Sequence, residues 1–345
     1  MSIERVNTHD TRAESLNDTS GSDNDGTRAT TSDEDADSAY DAESVSSTET
    51  LLESSFDYPI ENGRRYHAYG VRHYPFPNDE QQQKAEDLSH QLYLKVFDGK
   101  LSLARIKNPQ RVLDIGCGTG IWVLDYAEEN PSAEVTGIDL SPIQPAWVLP
   151  NCRFIIDDIN APWQAGDFDF VHIRAMSGSV SDWGNLYGTV LQHLKPGGVV
   201  EHVELSWQPM SDDGTLAPDS ALGSWWPLLK RIGEKTGQTF AASELAFESI
   251  TAGGFTNIEE VKFKVPIGPW ALDKKLKDLG NWSFLYLWEG LQGFFMRGLT
   301  KLGWTPQQVE LYLVKVRKDL KDITIHSYLY LRVVYGQKPE VSVIG

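Results

Sequence analysis

The feature that most constrains this chain is the stretch Arg111 to Gly120, with the sequence RVLDIGCGTG. Its apolar residues predict a buried strand that runs into Asp114 and then into alternating glycines at positions 116, 118 and 120. Glycines at this spacing let a backbone pass close to a ligand, where side chains would collide with it. The alternative is a glycine turn that only packs a helix on a strand.

The spacing of the glycines separates two kinds of nucleotide site. A dinucleotide fingerprint requires its third glycine three residues after the second, and that position is occupied by Ile121. Asp139, followed by Leu140, closes the next predicted strand, where an acid accepts hydrogen bonds from ribose hydroxyls. The pattern therefore predicts the glycine loop of a Rossmann-like enzyme that uses S-adenosylmethionine.

The segments beyond the loop alternate between helix and strand patterns. Helices are predicted at 120–129 and 185–194, and strands at 133–140, 152–156, 168–173 and 199–205. This alternation predicts an α/β fold with a parallel sheet and a ligand at the carboxyl ends of the strands. Asp157 and Asp158 end the third strand, where the adenine of the cofactor would lie, although adjacent acids in a loop can also be simply solvated.

The charge of the chain is unevenly distributed. The formal net charge is -18, which argues against broad binding to nucleic acid or to an anionic membrane. Residues 1–55 contain 14 Asp or Glu, three Arg and almost no large apolar residues, so they are predicted to form a disordered acidic tail rich in Ser and Thr. The tail is either a regulatory or partner-binding segment or a solvating one. Residues 56–345 are predicted to form the folded domain.

Few further features bear on location. No apolar run approaches the length of a transmembrane helix, and the polar, charged start does not resemble a signal peptide. The two cysteines, Cys117 and Cys152, provide neither a disulfide framework nor a zinc site. These features favour a protein of the cytoplasm or nucleus that has no metal.

A series of short motifs resembles the fungal class I methyltransferases of the LaeA-like type, also called TAM-domain methyltransferases. In order along the chain these motifs are YHAYG (66–70), FPNDE (76–80), LDIGCGTGIW (113–122), IDLSPIQPAWVLPN (138–151), IDDI (156–159), HIRAMSG (172–178), DW (182–183), LKPGG (194–198), EHVE (201–204), PIGPW (266–270), LGW (302–304) and YGQKP (335–339). The glycine motif is common to class I methyltransferases in general, whereas LSPIQPAWVLPN is typical of this family. The resemblance covers about residues 60 to 340.

The resemblance implies a fold, a cofactor and a set of binding residues. The fold is a Rossmann-like, seven-strand, mostly parallel sheet whose last strand is antiparallel, with a helical insertion at about 271–325 before that strand. The cofactor is S-adenosyl-L-methionine. Its binding residues would be Asp114, Gly116, Gly118, Gly120, Asp139, Leu140, Asp157 and Asp158, with Tyr66 as a lid contact. Some members of the family are tailoring enzymes of biosynthetic clusters, and others are nuclear regulators that associate with velvet-type proteins.

Methyl transfer itself requires few catalytic side chains. The sulfonium of the cofactor already activates the methyl group, so the protein mainly aligns the reactants and excludes water. A nitrogen acceptor needs little more, whereas an oxygen acceptor usually needs a base. We identify His172, after the fourth strand, and Glu204, near the end of the fifth, as the candidate bases. For His172 the alternative is a packed structural histidine.

The second half of the chain is rich in aromatic residues. They are Trp207, Trp225, Trp226, Trp270, Trp282, Phe284, Tyr286, Trp288, Phe294, Phe295 and Trp304. They either form a lid over an apolar or planar acceptor or are the core of the inserted helices. The favoured function is O- or N-methylation of a small molecule in fungal secondary metabolism. The alternative is a LaeA-like nuclear regulator that acts in a velvet-type complex.

Overall fold

The structure is a computed structural model that describes residues 3–7, 57–69, 74–161, 163 and 166–340. The strands are β1 Ile3–Asn7, β2 Ile60–Glu61, β3 Arg64–Arg65, β4 Arg111–Ile115, β5 Glu134–Asp139, β6 Cys152–Ile156, β7 Phe168–Arg174, β8 Leu194–Leu205, β9 Met210–Ser211, β10 Thr256–Pro266 and β11 Ser327–Gln337. The helices are α1 Glu80–Val96, α2 Ile121–Glu129, α3 Trp183–His193, α4 Trp225–Thr236, α5 Ala242–Ala252, α6 Lys274–Lys301 and α7 Pro306–Lys321.

A single large sheet lies at the centre, with strand order β1-β10-β11-β8-β7-β4-β5-β6. Strands β8, β7, β4, β5 and β6 run parallel, and β11 lies antiparallel between β8 and β10. This confirms the predicted Rossmann-like α/β fold with an antiparallel last strand. The sheet has nine strands rather than the predicted seven, because β1 pairs with β10 and the short β9 pairs with β11.

The strand β1 differs from what the composition of the tail predicts. Ile3–Asn7 pairs antiparallel with β10 over the register Ile3↔Phe263 to Asn7↔Glu259. The outer edge of β10 presents backbone groups that an extended segment can pair with, and Ile3 and Val6 are β-branched. The predicted disorder is therefore wrong for these five residues, and positions 8–56 lie outside the described residues.

The predicted helical insertion is present between β10 and β11 as α6 and α7. Asp273 caps α6, because its side chain accepts a hydrogen bond from the Leu276 amide. Helix α7 begins with a capping box formed by Thr305 and Gln308, with Pro306 in the first turn, where it needs no hydrogen-bond donor. These signals fix where the inserted helices begin.

The buried core divides according to the faces of the sheet. Helices α1, α4, α6 and α7 pack against residues of β8, β10 and β11 such as Val203, Phe263 and Leu331. Helix α2 covers the same face farther along, over β4, β5 and β7. Helices α3 and α5 cover the opposite face. The carboxyl edge of β4 and β5 is thereby placed beside α1 and α6, and the cavity described below opens there.

Candidate active site

The loop after β4 has the backbone conformation that its glycines predict. Gly116, Gly118 and Gly120 have φ values of +69°, +54° and +78°, in the left-handed region that favours glycine. The Gly116 and Cys117 amides donate to the Ile138 carbonyl at 2.8 and 3.1 Å, which ties the loop to the end of β5. Gly116 and Gly118 line the main cavity, whereas Gly120 begins α2 and does not line it.

Asp139 lies at the end of β5 and joins the glycine loop to the next turn. One carboxylate oxygen accepts from the Gly118 amide at 2.9 Å, and the other accepts from the Ser141 amide at 2.9 Å. Burial raises the pKa of Asp139 to about 6, so the carboxylate is ionised at neutral pH. Asp139 and Leu140, which were predicted to bind the cofactor, both line the cavity.

The acids after β6 lie at the same edge. Asp157 and Asp158 line the cavity. Asp157 Oδ1 accepts from the Asp158 amide at 2.8 Å and from the hydroxyl of Tyr69 at 3.2 Å. Asp158 Oδ1 accepts from the amide and side chain of Asn160. Tyr69 comes from the segment before α1, so that segment contacts the predicted adenine end of the site.

Asp114 and His172 form a buried pair beneath the loop instead of lining the cavity. His172 Nδ1 lies 2.8 Å from Asp114 Oδ1, and its ring stacks on Trp122 with centroids 3.9 Å apart. Burial lowers the pKa of His172, so the neutral ring donates from Nδ1 to Asp114. His172 is fully buried and is not among the cavity-lining residues. Its position contradicts the expected place on the acceptor wall and agrees with the alternative of a structural histidine.

Tyr66 also occupies a different place from the one expected. Its side chain is fully buried, and the guanidinium of Arg297 lies 3.8 Å from the ring centroid. Tyr66 does not line the cavity. Its ring stabilises the packing of the N-terminal segment on α6, and this segment contacts the site through Tyr69, Tyr74 and Phe76 instead.

One continuous cavity of about 370 Å³ extends from the glycine loop to the inserted helix α6. This volume lies within the range of roughly 300 to 1,000 Å³ typical of small-molecule sites. Besides the glycine loop and the acids after β5 and β6, the cavity is lined by the aromatic rings of Tyr74, Phe76, Tyr93, Trp207, Tyr286 and Phe294. The cavity thus joins a polar, glycine-rich part to an aromatic part.

Only three of the predicted lid aromatics line this cavity, namely Trp207, Tyr286 and Phe294. Trp225 and Phe295 are buried in the core, and Trp288 stacks near Phe284. Most of the predicted set is therefore core or surface of the added helices. Tyr74 and Tyr93 were not predicted, because no motif includes them, and Phe76 was noted only as the first residue of the FPNDE motif.

Glu204 is one of the residues that line the cavity. Its side chain is 98% buried, and its Oε2 accepts from the Met176 amide at 2.8 Å. The Nε2 atom of His202 lies 3.2 Å from the same oxygen, and His202 Nδ1 lies 2.7 Å from the Tyr187 hydroxyl. These contacts fix the orientation of the carboxylate at the wall. Glu204 is the one candidate base that the structure places at the cavity.

Two charged side chains of the cavity were not among the predicted site residues. Glu86 comes from α1 and Arg174 from the end of β7. S-adenosylmethionine carries an α-ammonium and an α-carboxylate, and a carboxyl and a guanidinium in one cavity match that pair of charges. With Gly116, Gly118, Asp139 and Asp157 also lining it, the cavity fits this cofactor, whose sulfonium supplies an activated methyl group.

The described part of the chain contains neither a cluster of metal ligands nor a membrane-spanning helix. Among these residues no group of three or more His, Cys, Asp or Glu side chains is arranged to hold a metal ion. None of the described helices combines the length and apolar character that crossing a membrane requires.

The glycine loop, the acid after β5 and the cavity at the carboxyl edge define a Rossmann-like methyltransferase site, and comparisons with known proteins agree. Residues 88–259 match a family model described as a methyltransferase domain. Methyltransferase pytC of Aspergillus terreus is 38% identical over 298 residues, covering 85% of this chain and 92% of that protein. The secondary metabolism regulator LAE1 of Cochliobolus heterostrophus is 36% identical over 291 residues, covering 81% of this chain and 95% of that protein.

The chain belongs to the LaeA-like class I methyltransferases, as its motifs predict. It is an S-adenosylmethionine-dependent methyltransferase. Among solved structures, phosphoethanolamine N-methyltransferase 2 of Haemonchus contortus aligns with a TM-score of 0.47 at 16% identity, over 87% of this chain and 75% of that one.

Proposed function

We propose that this protein transfers the methyl group of S-adenosylmethionine to oxygen or nitrogen of a small molecule in fungal secondary metabolism. The observation that carries this proposal is the continuity of the cavity, which joins the cofactor loop to an aromatic enclosure of limited volume. Aromatic walls favour an acceptor that is planar or apolar. The relative pytC, named as a methyltransferase, supports the same function.

In this proposal each group of residues has its own task. The glycine loop, Asp139, Asp157 and Asp158 hold the nucleoside part of the cofactor. The aromatic enclosure orients the acceptor and excludes water. For an oxygen acceptor, Glu204 takes up the proton, and His202 acts as a positioning residue that holds the carboxylate.

The test uses the purified full chain with methyl-labelled S-adenosylmethionine and a metabolite extract of the organism that encodes it. We expect label in a small molecule that can be identified by mass spectrometry. The matched control is the Gly118→Val variant, which should transfer no label. If label is absent from the small-molecule fraction although the wild type binds the cofactor, the proposed acceptor class is wrong.

A second candidate function is regulation of secondary metabolism in the nucleus, in a velvet-type complex. The observation that favours it is the similarity to LAE1, which is named as a regulator. Copurification of a velvet-type protein with the tagged chain, together with a nuclear fluorescent fusion, would favour this function. A cytoplasmic fusion without such a partner would favour the tailoring enzyme.

A further inference from the structure

The carboxyl group of Glu86 lies against the glycine loop without a strong hydrogen-bond donor. Its Oε2 is buried and has no hydrogen-bond partner among the described residues. Its Oε1 has a contact with Gln82 Nε2 at 3.5 Å, beyond the usual range of such bonds. A Cβ added to Gly118 would lie 2.7 Å from Oε2. A negatively charged carboxylate at this position would be buried with too few hydrogen-bond donors. Its free energy would be high unless a cation binds beside it.

The charged groups around Glu86 include one cation and two further acids, so they would not neutralise a carboxylate at this position. Asp87 on α1 and Asp139 at the end of β5 add negative charge, and Arg174 at the end of β7 adds positive charge. The neutral groups of Tyr74, Cys117 and Tyr286 face it from the N-terminal segment, the glycine loop and α6. Burial, followed by the charge of Asp139, raises the pKa of Glu86 to about 8. The free protein therefore holds a proton on Glu86 at neutral pH.

Arg174 is the complementary group in the same cavity. Its Nη1 lies 3.0 Å from His90 Nδ1, and its guanidinium lies 5.4 Å from the ring centroid of Tyr93. A guanidinium has five N–H donors, so most of its capacity is available for a carboxylate. Glu86 and Arg174, which line the same cavity and are close enough to interact electrostatically, thus match an amino-acid zwitterion.

We propose that Glu86 and Arg174 hold the amino-acid end of the cofactor, and that Glu86 releases its proton to solvent when the α-ammonium of the cofactor binds. This inference rests on the cofactor assignment. The O–H bond of the Glu86 carboxyl breaks, the proton goes to buffer, and the carboxylate that remains pairs with the ammonium. Because binding releases a proton, affinity increases with pH until the pKa of free Glu86 is reached, by at most tenfold per pH unit.

The test is isothermal titration calorimetry at pH 7.0 in phosphate and in Tris, whose ionisation enthalpies differ. S-adenosylhomocysteine carries the amino-acid end, and 5′-methylthioadenosine lacks it. We expect wild-type protein to release close to one proton with the first ligand and none with the second. Asp139 contributes little to this count, because its pKa of about 6 leaves it ionised at pH 7.

Substitutions assign the proton to its residue. In Glu86→Gln we expect no proton release and about tenfold weaker binding of S-adenosylhomocysteine, with unchanged binding of 5′-methylthioadenosine. Arg174→Met should weaken binding of S-adenosylhomocysteine selectively in the same way. The matched control is Glu80→Gln on the same helix, where the side chain is exposed and paired with Arg65, and it should behave as wild type.

Three results would overturn the proposal. Tight binding of S-adenosylhomocysteine without proton release, or a Glu86→Gln variant that binds like wild type, rejects the role of Glu86 and leaves the cofactor assignment intact. Failure of wild-type protein to bind either ligand rejects the cofactor assignment and the proposal together. Glu86→Gln is nearly isosteric and removes a poorly compensated acid, so a melting curve should show that it folds.

Discussion

At the scale of single residues, Gly118 is constrained by both its backbone conformation and its surroundings. Its φ is +54°, and an added Cβ would lie 2.7 Å from Glu86 Oε2. Gly118→Val should therefore abolish measurable binding of S-adenosylmethionine by calorimetry. The control is Gly188→Val in α3, where an added Cβ has no neighbour within 4 Å. Equal affinity in the two variants would show that the loop has been misinterpreted.

Glu204 and His172 should respond differently to substitution. With an oxygen acceptor, Glu204→Gln should lower turnover by about 10² to 10⁴ while cofactor affinity stays nearly unchanged, because only proton uptake is lost. His172→Gln should lower the melting temperature through the lost Asp114 contact, without a selective loss of turnover. Full turnover in Glu204→Gln would instead indicate a nitrogen acceptor or catalysis by positioning alone.

The contrast between these two residues shows what local sequence can predict. The position of Glu204 can be predicted from its own strand. It lies near the carboxyl end of β8, and the alternation of side chains along β8 determines which face of the sheet it is on. His172 depends on register, because it lies beside Asp114 on β4 and Glu201 on β8. That register buries it in a polar row across three strands. Pairing between strands distant in sequence cannot be derived from periodicity within one of them.

At the scale of elements, two adjacent phenylalanines of α6 have different surroundings, one in the cavity and one in the core. Phe294 lines the cavity, and Phe295 is fully buried against Trp225, with centroids 4.9 Å apart. Phe294→Leu should raise the KM for the acceptor by about tenfold with little change in cofactor affinity. Phe295→Leu should lower stability by about 1 to 3 kcal/mol without a selective change in KM. The same change in KM for both variants would mean that the enclosure is not formed by this face of α6.

The edge strand β1 should contribute only a small part of the stability of the domain. It contributes backbone pairing to β10, so deleting residues 1–7 should lower the melting temperature by only a few degrees. Deleting residues 1–55 should lower it by the same amount, because the acidic composition of the rest predicts no buried core. Thermal unfolding of the two truncated proteins checks this. A much larger loss in the longer deletion would show that positions 8–55 also stabilise the domain.

Elements were predictable where their signals are local. The boundaries of β6 and α2 follow from apolar pattern and from the Asn130-Pro131 stop, and the structure agrees within a residue. The stretch Lys195 to Gly198 contains the proline and glycines typical of a turn, but it lies within β8, where the pairing with β7 jumps from Phe168↔Leu194 to Phe170↔Val199. Residues 195–198 of β8 therefore bulge out of the ladder. This bulge depends on the pairing with β7, so it cannot be predicted from the sequence of β8 alone.

At the scale of the whole molecule, three acids have a pKa that burial raises. Glu86 and Asp139 line the cavity, whereas Glu201 lies on β8 outside its lining, where Oε2 accepts from the Leu103 and Ala104 amides at 2.8 and 2.6 Å. Burial is the first cause that raises the pKa of each, to about 8, about 6 and about 7 respectively. The fold thus places carboxyl groups where a cationic cofactor is expected to bind. Ionisation of these buried groups lowers the free energy of unfolding, so stability depends on pH.

The sign of that dependence follows from linkage. A carboxyl whose folded pKa is raised favours the folded state below its unfolded pKa, and this contribution is lost as the pH rises through the folded pKa. For Glu201 the window is therefore from about pH 4.5 to about pH 7. Across it the free energy of unfolding of wild-type protein should fall by about 1.4 kcal/mol per pH unit relative to Glu201→Gln, which cannot ionise.

Urea unfolding of both proteins at pH 5, 6, 7 and 8 measures this difference. The difference should grow from pH 5 to pH 7 and then level off. The comparison cancels the general repulsion of a chain with net charge -18, because that repulsion is shared by both proteins. Glu80→Gln supplies the control, since a hydrogen bond from its own backbone amide and then pairing with Arg65 lower the pKa of this exposed acid and keep it ionised throughout. Parallel stability curves for wild type and Glu201→Gln would show that Glu201 is ionised in the folded protein at pH 5, contrary to the burial argument.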